Sequence, residues 1–286
     1  MAVVAFGASA AAAWGSHSAA RIHLAYAGET PVPAGIYELV PGGKAVRVST
    51  GRNDGFPTWS PDGKSVAFDH PTKPTSRNTT CQIVVATGRS SKPIPRVTAD
   101  CRGISWGRNG LIAFNDPKNA VWVVKADGSS LRKIIGGGSS SASSTLNPAW
   151  SPDNKMIAFG NGAFGGLSVV AATGRGLHDI TKPSVLSRVA DGFPVWSPDG
   201  KRIAFVRSSP SDFTWSVMVA RSDGSGAKRL AKTQTEPNFA RPAWTADGSS
   251  IVFGSVDGLS IVPAAGGASR LLVPGHFLAQ PAVAPK

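Results

Sequence analysis

Apolar residues run along this chain in short bursts, each cut off by glycine, proline, aspartate or asparagine, and the bursts form two alternating phrases. In the first, "FPTWSPDGKSVAF" (56–68), a Pro-x-Trp-Ser segment and a "SVAF" segment flank a turn. In the second, "CQIVVATG" (81–88), a continuous apolar run ends at glycine. The first phrase predicts two strands around Ser-Pro-Asp-Gly. Proline presets φ for a type I turn, aspartate suits the next position, and glycine accepts the left-handed conformation. The second phrase predicts a third strand, apolar without alternation and therefore buried on both faces. A turn such as Ala-Asp-Gly leads from it into a fourth.

The first phrase returns as "FPVWSPDGKRIAF" (193–205), identical at ten of thirteen positions. Weaker copies are "GISWGRNGLIAF" (103–114), "NPAWSPDNKMIAF" (147–159) and "RPAWTADGSSIVF" (241–253). Trp59, Trp106, Trp150, Trp196 and Trp244 thus recur every 44 to 48 residues, each followed by a copy of the second phrase. A four-stranded sheet covered on both sides by neighbours like itself is a propeller blade, and radial stacking leaves only short protected edges. Ahead of the first tryptophan, "RIHLAY" (21–26), "GIYELV" (35–40) and "KAVRVS" (44–49) read as three strands lacking the Trp-bearing one. "QPAVAPK" (280–286) reads as that missing strand, with Val283 in the Trp position. The expected fold is all-β: a six-bladed β-propeller of four-stranded antiparallel blades over residues 21–286, with the C-terminal strand completing the first blade.

Pro-x-Trp-Ser-Pro-Asp-Gly followed two residues later by Ile-Ala-Phe resembles the TolB-type propeller repeat. The resemblance covers about residues 21 to 286 and concerns the propeller part of that family. It implies the propeller fold. Repeats of this type occur in envelope proteins of the Tol-Pal system, in propellers of prolyl oligopeptidase-like enzymes and in many secreted proteins.

A formal charge of +13 and a pI near 10.3 favour anionic partners. The cations are scattered singly or in pairs such as Arg132-Lys133, without a nucleic-acid-binding signature, so nucleic acid is not the expected partner. Residues 1–20 contain an apolar small-residue run, "AVVAFGASAAAAWG", and small residues at Ser18 and Ala20, the pattern of a secretion signal without its basic start. That run is too short and too weakly apolar for a bilayer span. Export to the periplasm, cell envelope or extracellular space is expected, and in that setting Cys81 and Cys101 are expected to form a disulfide.

Strand direction separates two faces. The Ser-Pro-Asp-Gly turns and the turns after the third strands share one face and are uniformly tight. The longer links, such as "DHPTKPTSRNTT" (69–80) and "RSSPSDFT" (207–214), share the other, and binding residues favour irregular loops on a rigid scaffold. The residues ahead of each Trp-bearing strand are expected around the channel mouth there: Asp54, Arg102, Asn147, Asp191, Arg241 and Gln280, with Phe56 and Phe193 beside them. Asp54 and Asp191 are equally suited to capping the turn into the strand.

No Gly-x-Ser-x-Gly elbow and no zinc-spaced histidines are present, and "GGGSSSASS" (136–144) lacks the lysine of a phosphate loop. The expected function is therefore a monomeric, non-catalytic module that binds a protein or peptide of the envelope or extracellular space, with no cofactor. The alternatives are a calcium-dependent lactonase- or esterase-like enzyme with Asp54, Asn147 and Asp191 as oxygen ligands, and an anionic-polymer binder acting through net charge.

Overall fold

The computed structural model describes residues 22–28, 34–40, 42–73, 80–136, 145–162, 165–183, 189–209, 214–233, 241–275 and 278–285. The expected leader over 1–20, Asn78 and Thr79 of a glycosylation-type Asn-Thr-Thr, and nearly all of the Gly-Ser run lie outside these residues.

Twenty-four strands form six four-stranded antiparallel sheets, and no helix occurs among the described residues. Nor, accordingly, is any helix there long and apolar enough to cross a membrane. The first blade holds β1 (Leu24–Gly28), β2 (Gly35–Leu39) and β3 (Val46–Arg47). The second is β4 (Gly55–Trp59), β5 (Ser65–Lys73), β6 (Thr80–Thr87) and β7 (Ser90–Pro93). The third is β8 (Ser105–Trp106), β9 (Leu111–Asn115), β10 (Ala120–Lys125) and β11 (Arg132–Gly136). The fourth is β12 (Thr145–Trp150), β13 (Met156–Asn161), β14 (Leu167–Ala171) and β15 (His178–Asp179). The fifth is β16 (Asp191–Trp196), β17 (Arg202–Ser209), β18 (Thr214–Arg221) and β19 (Lys228–Thr233). The sixth is β20 (Ala243–Trp244), β21 (Ser250–Ser255), β22 (Gly258–Pro263) and β23 (Arg270–Pro274). The last strand, β24 (Ala279–Val283), joins the first blade beside β1, where Val283 pairs with Leu24 and Ala282 with Ala25. The chain ends therefore close the ring in one sheet, as the repeat count implies.

The tight turns behave as their residues dictate. Ser60 Oγ donates to Asp62 (2.6 Å) and accepts the amide of Ser65 (2.9 Å), while Gly63 takes φ +66° and donates to the Ser60 carbonyl. Ser151, Ser197 and Thr245 repeat the arrangement with Asp153, Asp199 and Asp247.

The core is divided rather than single. Six buried apolar clusters each fill one gap between neighbouring blades: Leu24, Tyr37, Val252 and Leu259 between the first and sixth, Ile83, Ile104, Ile112 and Phe114 between the second and third. Each repeat tryptophan packs in the gap on the side of the preceding blade. Three of the indoles also donate across it to the main chain of that blade. Trp59 Nε1 reaches the carbonyl of Ala282 (3.1 Å), Trp196 that of Ala149 (3.2 Å) and Trp244 that of Val195 (3.0 Å). Trp106 instead donates within its own blade to Gly110, and the buried Trp150 indole has no acceptor.

Where the Trp106 link is missing, the second and third blades are joined covalently. Cys81 at the start of β6 is bonded to Cys101 ahead of β8, with Cα atoms 5.2 Å apart. The Cys81 and Ala99 main chains also exchange both hydrogen bonds. The loop so closed, 20 residues long, is worth about 3 kcal/mol of chain entropy.

Two stability measurements follow. Denaturant unfolding should show Trp244→Phe costing about 1 kcal/mol more than Trp150→Phe, because only the former removes a hydrogen bond. Equal costs would mean that the indole bonds add nothing to packing. The Cys81→Ala, Cys101→Ala double variant should lose about 3 kcal/mol, and a variant as stable as the parent would show that the seam holds without its bond.

Candidate functional site

Four of the six innermost strands carry a distortion about three residues before the tryptophan, or before Val283 in its place. Register shifts fall between Gly55 and Thr58 in β4, Leu146 and Ala149 in β12, Gly192 and Val195 in β16, and opposite β24 between Ala25 and Ala27 of β1. At these bulges Phe56, Asn147, Phe193 and Gln280 adopt φ of +52 to +54°, in the left-handed region that side chains disfavour. A bulge adds a residue and re-aims the side chain it carries. In the third blade the position belongs to Gly103 (φ +113°), in the sixth to Arg241. Phe56, Gly103, Asn147, Phe193, Arg241 and Gln280 thus hold equivalent places around the axis.

Two of these residues reach across it. Phe56 of the second blade stacks on Phe193 of the opposite fifth, with ring centroids 6.4 Å apart and planes 4° from parallel. Arg241 of the sixth blade donates from Nη2 to the Ile104 carbonyl of the opposite third (3.0 Å), with its guanidinium carbon 5.8 Å from the Phe56 ring centre. Two more link adjacent blades: Gln280 Oε1 accepts the amide of Phe56 (2.5 Å), and Asn147 Nδ2 donates to the Arg102 carbonyl. The open, charged mouth expected from the sequence is therefore a cross-braced plug.

Asp54 and Asp191 lie two residues further back and are spent on neighbouring groups, Asp191 on both its own blade and the fourth, in keeping with a structural use. Asp54 accepts from the Gly51 amide (3.1 Å) and bonds His70 Nδ1 (2.7 Å). Asp191, its side chain fully shielded, takes both arms of Arg207 at 2.7 and 2.8 Å and the Thr181 hydroxyl at 2.7 Å. Arg102 is exposed and pairs with Asp100 at 3.6 Å. The proposed calcium ligands Asp54, Asn147 and Asp191 thus each have a separate partner. Among the described residues no group of three or more His, Cys, Asp or Glu could hold a metal ion.

Beneath the plug sit two carboxyls the motif search passes over. Asp69 ends the "SVAF" strand where other copies have Asn115, Gly160, Val206 and Gly254, and that departure is the signal for it. Its Oδ2 accepts the Gly103 amide (3.0 Å), while its buried Oδ1 has no partner. Burial, with Asp100 nearby, pushes Asp69 up to about 8, against the opposing pull of the Gly103 amide and Arg241. Burial likewise pushes Asp100 up to about 7, although Arg102 opposes it, and presses Arg241 down to about 10.

Both carboxyls keep a proton in the folded chain where the unfolded chain has lost it. The window opens near the usual carboxylate range, about pH 4, and closes near 7 for Asp100 and 8 for Asp69. The folded state binds the extra protons there, so stability falls as pH rises through it. The melting temperature should decline from pH 5 to 8, and Asp69→Asn, which keeps the acceptor for Gly103, should flatten that decline. An unchanged slope would mean that Asp69 is ionised throughout.

Two cavities flank the plug. One of about 300 Å3 opens among the irregular links of the fourth and fifth blades. Leu146, Phe193, Val206 and Trp215 give it apolar walls, and Asn147, Arg102, Asp191 and Ser208 its polar lining. It gathers four of the eight expected site residues and adds Trp215. Asp54, Phe56, Arg241 and Gln280 lie outside it. The other, about 590 Å3, lies along the axis and opens between the tight turns of the opposite face.

No protein-family model matches the sequence, and no curated protein matches it. Solved structures do. A candidate TolB of Agrobacterium tumefaciens is 19% identical with a TM-score of 0.61, covering 90% of this chain and 91% of that one. An oligogalacturonate lyase of Vibrio parahaemolyticus is 13% identical with a TM-score of 0.56, covering 87% of this chain and 73% of that one. A candidate 6-phosphogluconolactonase of Bacteroides uniformis is 11% identical with a TM-score of 0.56, covering 92% and 97%. The likeness is one of fold. It places a TolB-like propeller beside two of enzymatic description and does not choose between them.

Proposed function

We propose that the chain is an exported, non-catalytic binding module that takes a protein or peptide segment on its irregular face. The cavity between the fourth and fifth blades is its anchor point. The carrying observation is the meeting there of Phe193, held at φ +54° by its bulge, with the partly exposed Trp215 and the polar Asn147 and Arg102. A pocket of this size and lining suits one apolar side chain of a partner, with polar groups at its rim to fix direction, the usual anatomy of an energetic anchor. The disulfide supports an oxidising compartment, and the TolB-like neighbour is in keeping with a binding role.

The test is capture of partners from envelope extract. Trp215→Ala and Arg102→Glu should each reduce capture by about tenfold or more, the loss expected of an anchor residue, while the melting temperature stays close to the parent's. Retention of the same partners by both variants would exclude this cavity as the anchor.

A further inference from the structure

The axial cavity on the tight-turn face is separate from the pocket assigned above and has its own chemistry. Its wall comes from the residue just before each repeat tryptophan, including Thr58, Ser105, Val195 and Ala243, with Arg108 towards the turns and Arg241 deep on the axis. Because Arg241 reaches across to Ile104, the cavity is a blind funnel rather than a through-channel. We propose that this funnel receives the carboxylate end of an otherwise uncharged ligand, held by Arg241 at its floor.

Four observations support the assignment. No acidic residue is among the described residues lining the funnel, whereas two arginines are. Arg241 has one hydrogen-bond acceptor, a neutral carbonyl, and no ion pair among the described residues, and its Nη1, shielded beside Gly103, lacks any partner until the guanidinium turns towards a ligand. Thr58 and Ser105 spend their oxygens accepting the amides of Trp106 (3.3 Å) and Trp150 (3.1 Å), which leaves their hydroxyl protons to donate. Burial lowers the Arg241 pKa, and the nearby Asp69, itself pushed up to about 8, offsets this only in part. A guanidinium fork with hydroxyl donors matches a carboxylate, and a single deep cation balances a monoanion rather than a dianion. The aspartates of the neighbouring turns, such as Asp62 and Asp199, do not line the funnel and are held by Ser60 and Ser197.

A carboxylate can arrive on a peptide C-terminus or on a sugar acid, so the experiment has two arms. Calorimetric titration of the full chain at low salt would compare N-acetyl-tetraalanine with its C-terminal amide, and glucuronate with glucose. In at least one arm the acid should bind about tenfold or more tightly than its neutral twin, a difference one charge-assisted contact can supply. The arm showing the preference identifies the source. Arg241→Gln should abolish it and Arg241→Lys should retain part. Should Arg241→Gln fail to fold, Ala246→Glu at the funnel rim should weaken the acid several-fold and leave the neutral twin unchanged. Equal binding of acid and neutral twin in both arms, no binding in either, or binding of inorganic phosphate alone would overturn the proposal.

Discussion

A ring of separate sheets holds together only if every gap is closed, and in three of the six gaps here the closing device is an indole that packs into the gap and donates to the main chain beyond it. Trp59, Trp196 and Trp244 each reach the carbonyl of the residue preceding the neighbouring blade's tryptophan, or Val283 in the first blade. That geometry fixes more than the seam. It aligns neighbouring innermost strands, which sets the residue before each tryptophan on the axial wall and the residue three before it, at the bulge, across the axis. Both cavities therefore inherit their linings from the same contact.

The seams are not equal. The second and third blades lack the indole bond and have a disulfide in its place. The third and fourth leave the Trp150 indole without an acceptor and rely on side-chain bonds such as Arg132 to the Ala172 carbonyl and Asn147 to the Arg102 carbonyl. Asp69, Asp100 and Arg241 cluster by the first of these irregular seams. Two of the three gaps without an indole bond thus flank the third blade, next to the buried ionisable groups Asp69, Asp100 and Arg241, and the third, between the sixth and first blades, has Val283 in the Trp position.

Much of this architecture is legible in the sequence because each blade solves one packing problem with the same residues. The Trp spacing gives the number of blades, and Val283 in the Trp frame gives the closure. The candidate site was less legible, for a geometric reason. Strand alternation places Asp54 and Asp191 at the rim, but a bulge between them and the tryptophan hands the axial place to Phe56 and Phe193. Counting back three from every tryptophan would have put Gly103 in the ring, where the lack of a side chain leaves room for the Phe56 ring, 3.1 Å from where its Cβ would be, with Arg241 beside it. Trp215 carries no motif at all and becomes relevant only when β18 brings it beside β16.

The strap formed by β24 also has a consequence in time. A chain made from its N-terminus leaves the inner edge of β1 without a partner strand until β24, far along the sequence, has been made. Five complete blades wait on one that lacks a strand, and an unpaired strand edge is a template for any other extended chain. The newborn molecule thus carries one sticky flank while the other five blades are being made, and the strand that covers it is the one most distant from β1 in sequence.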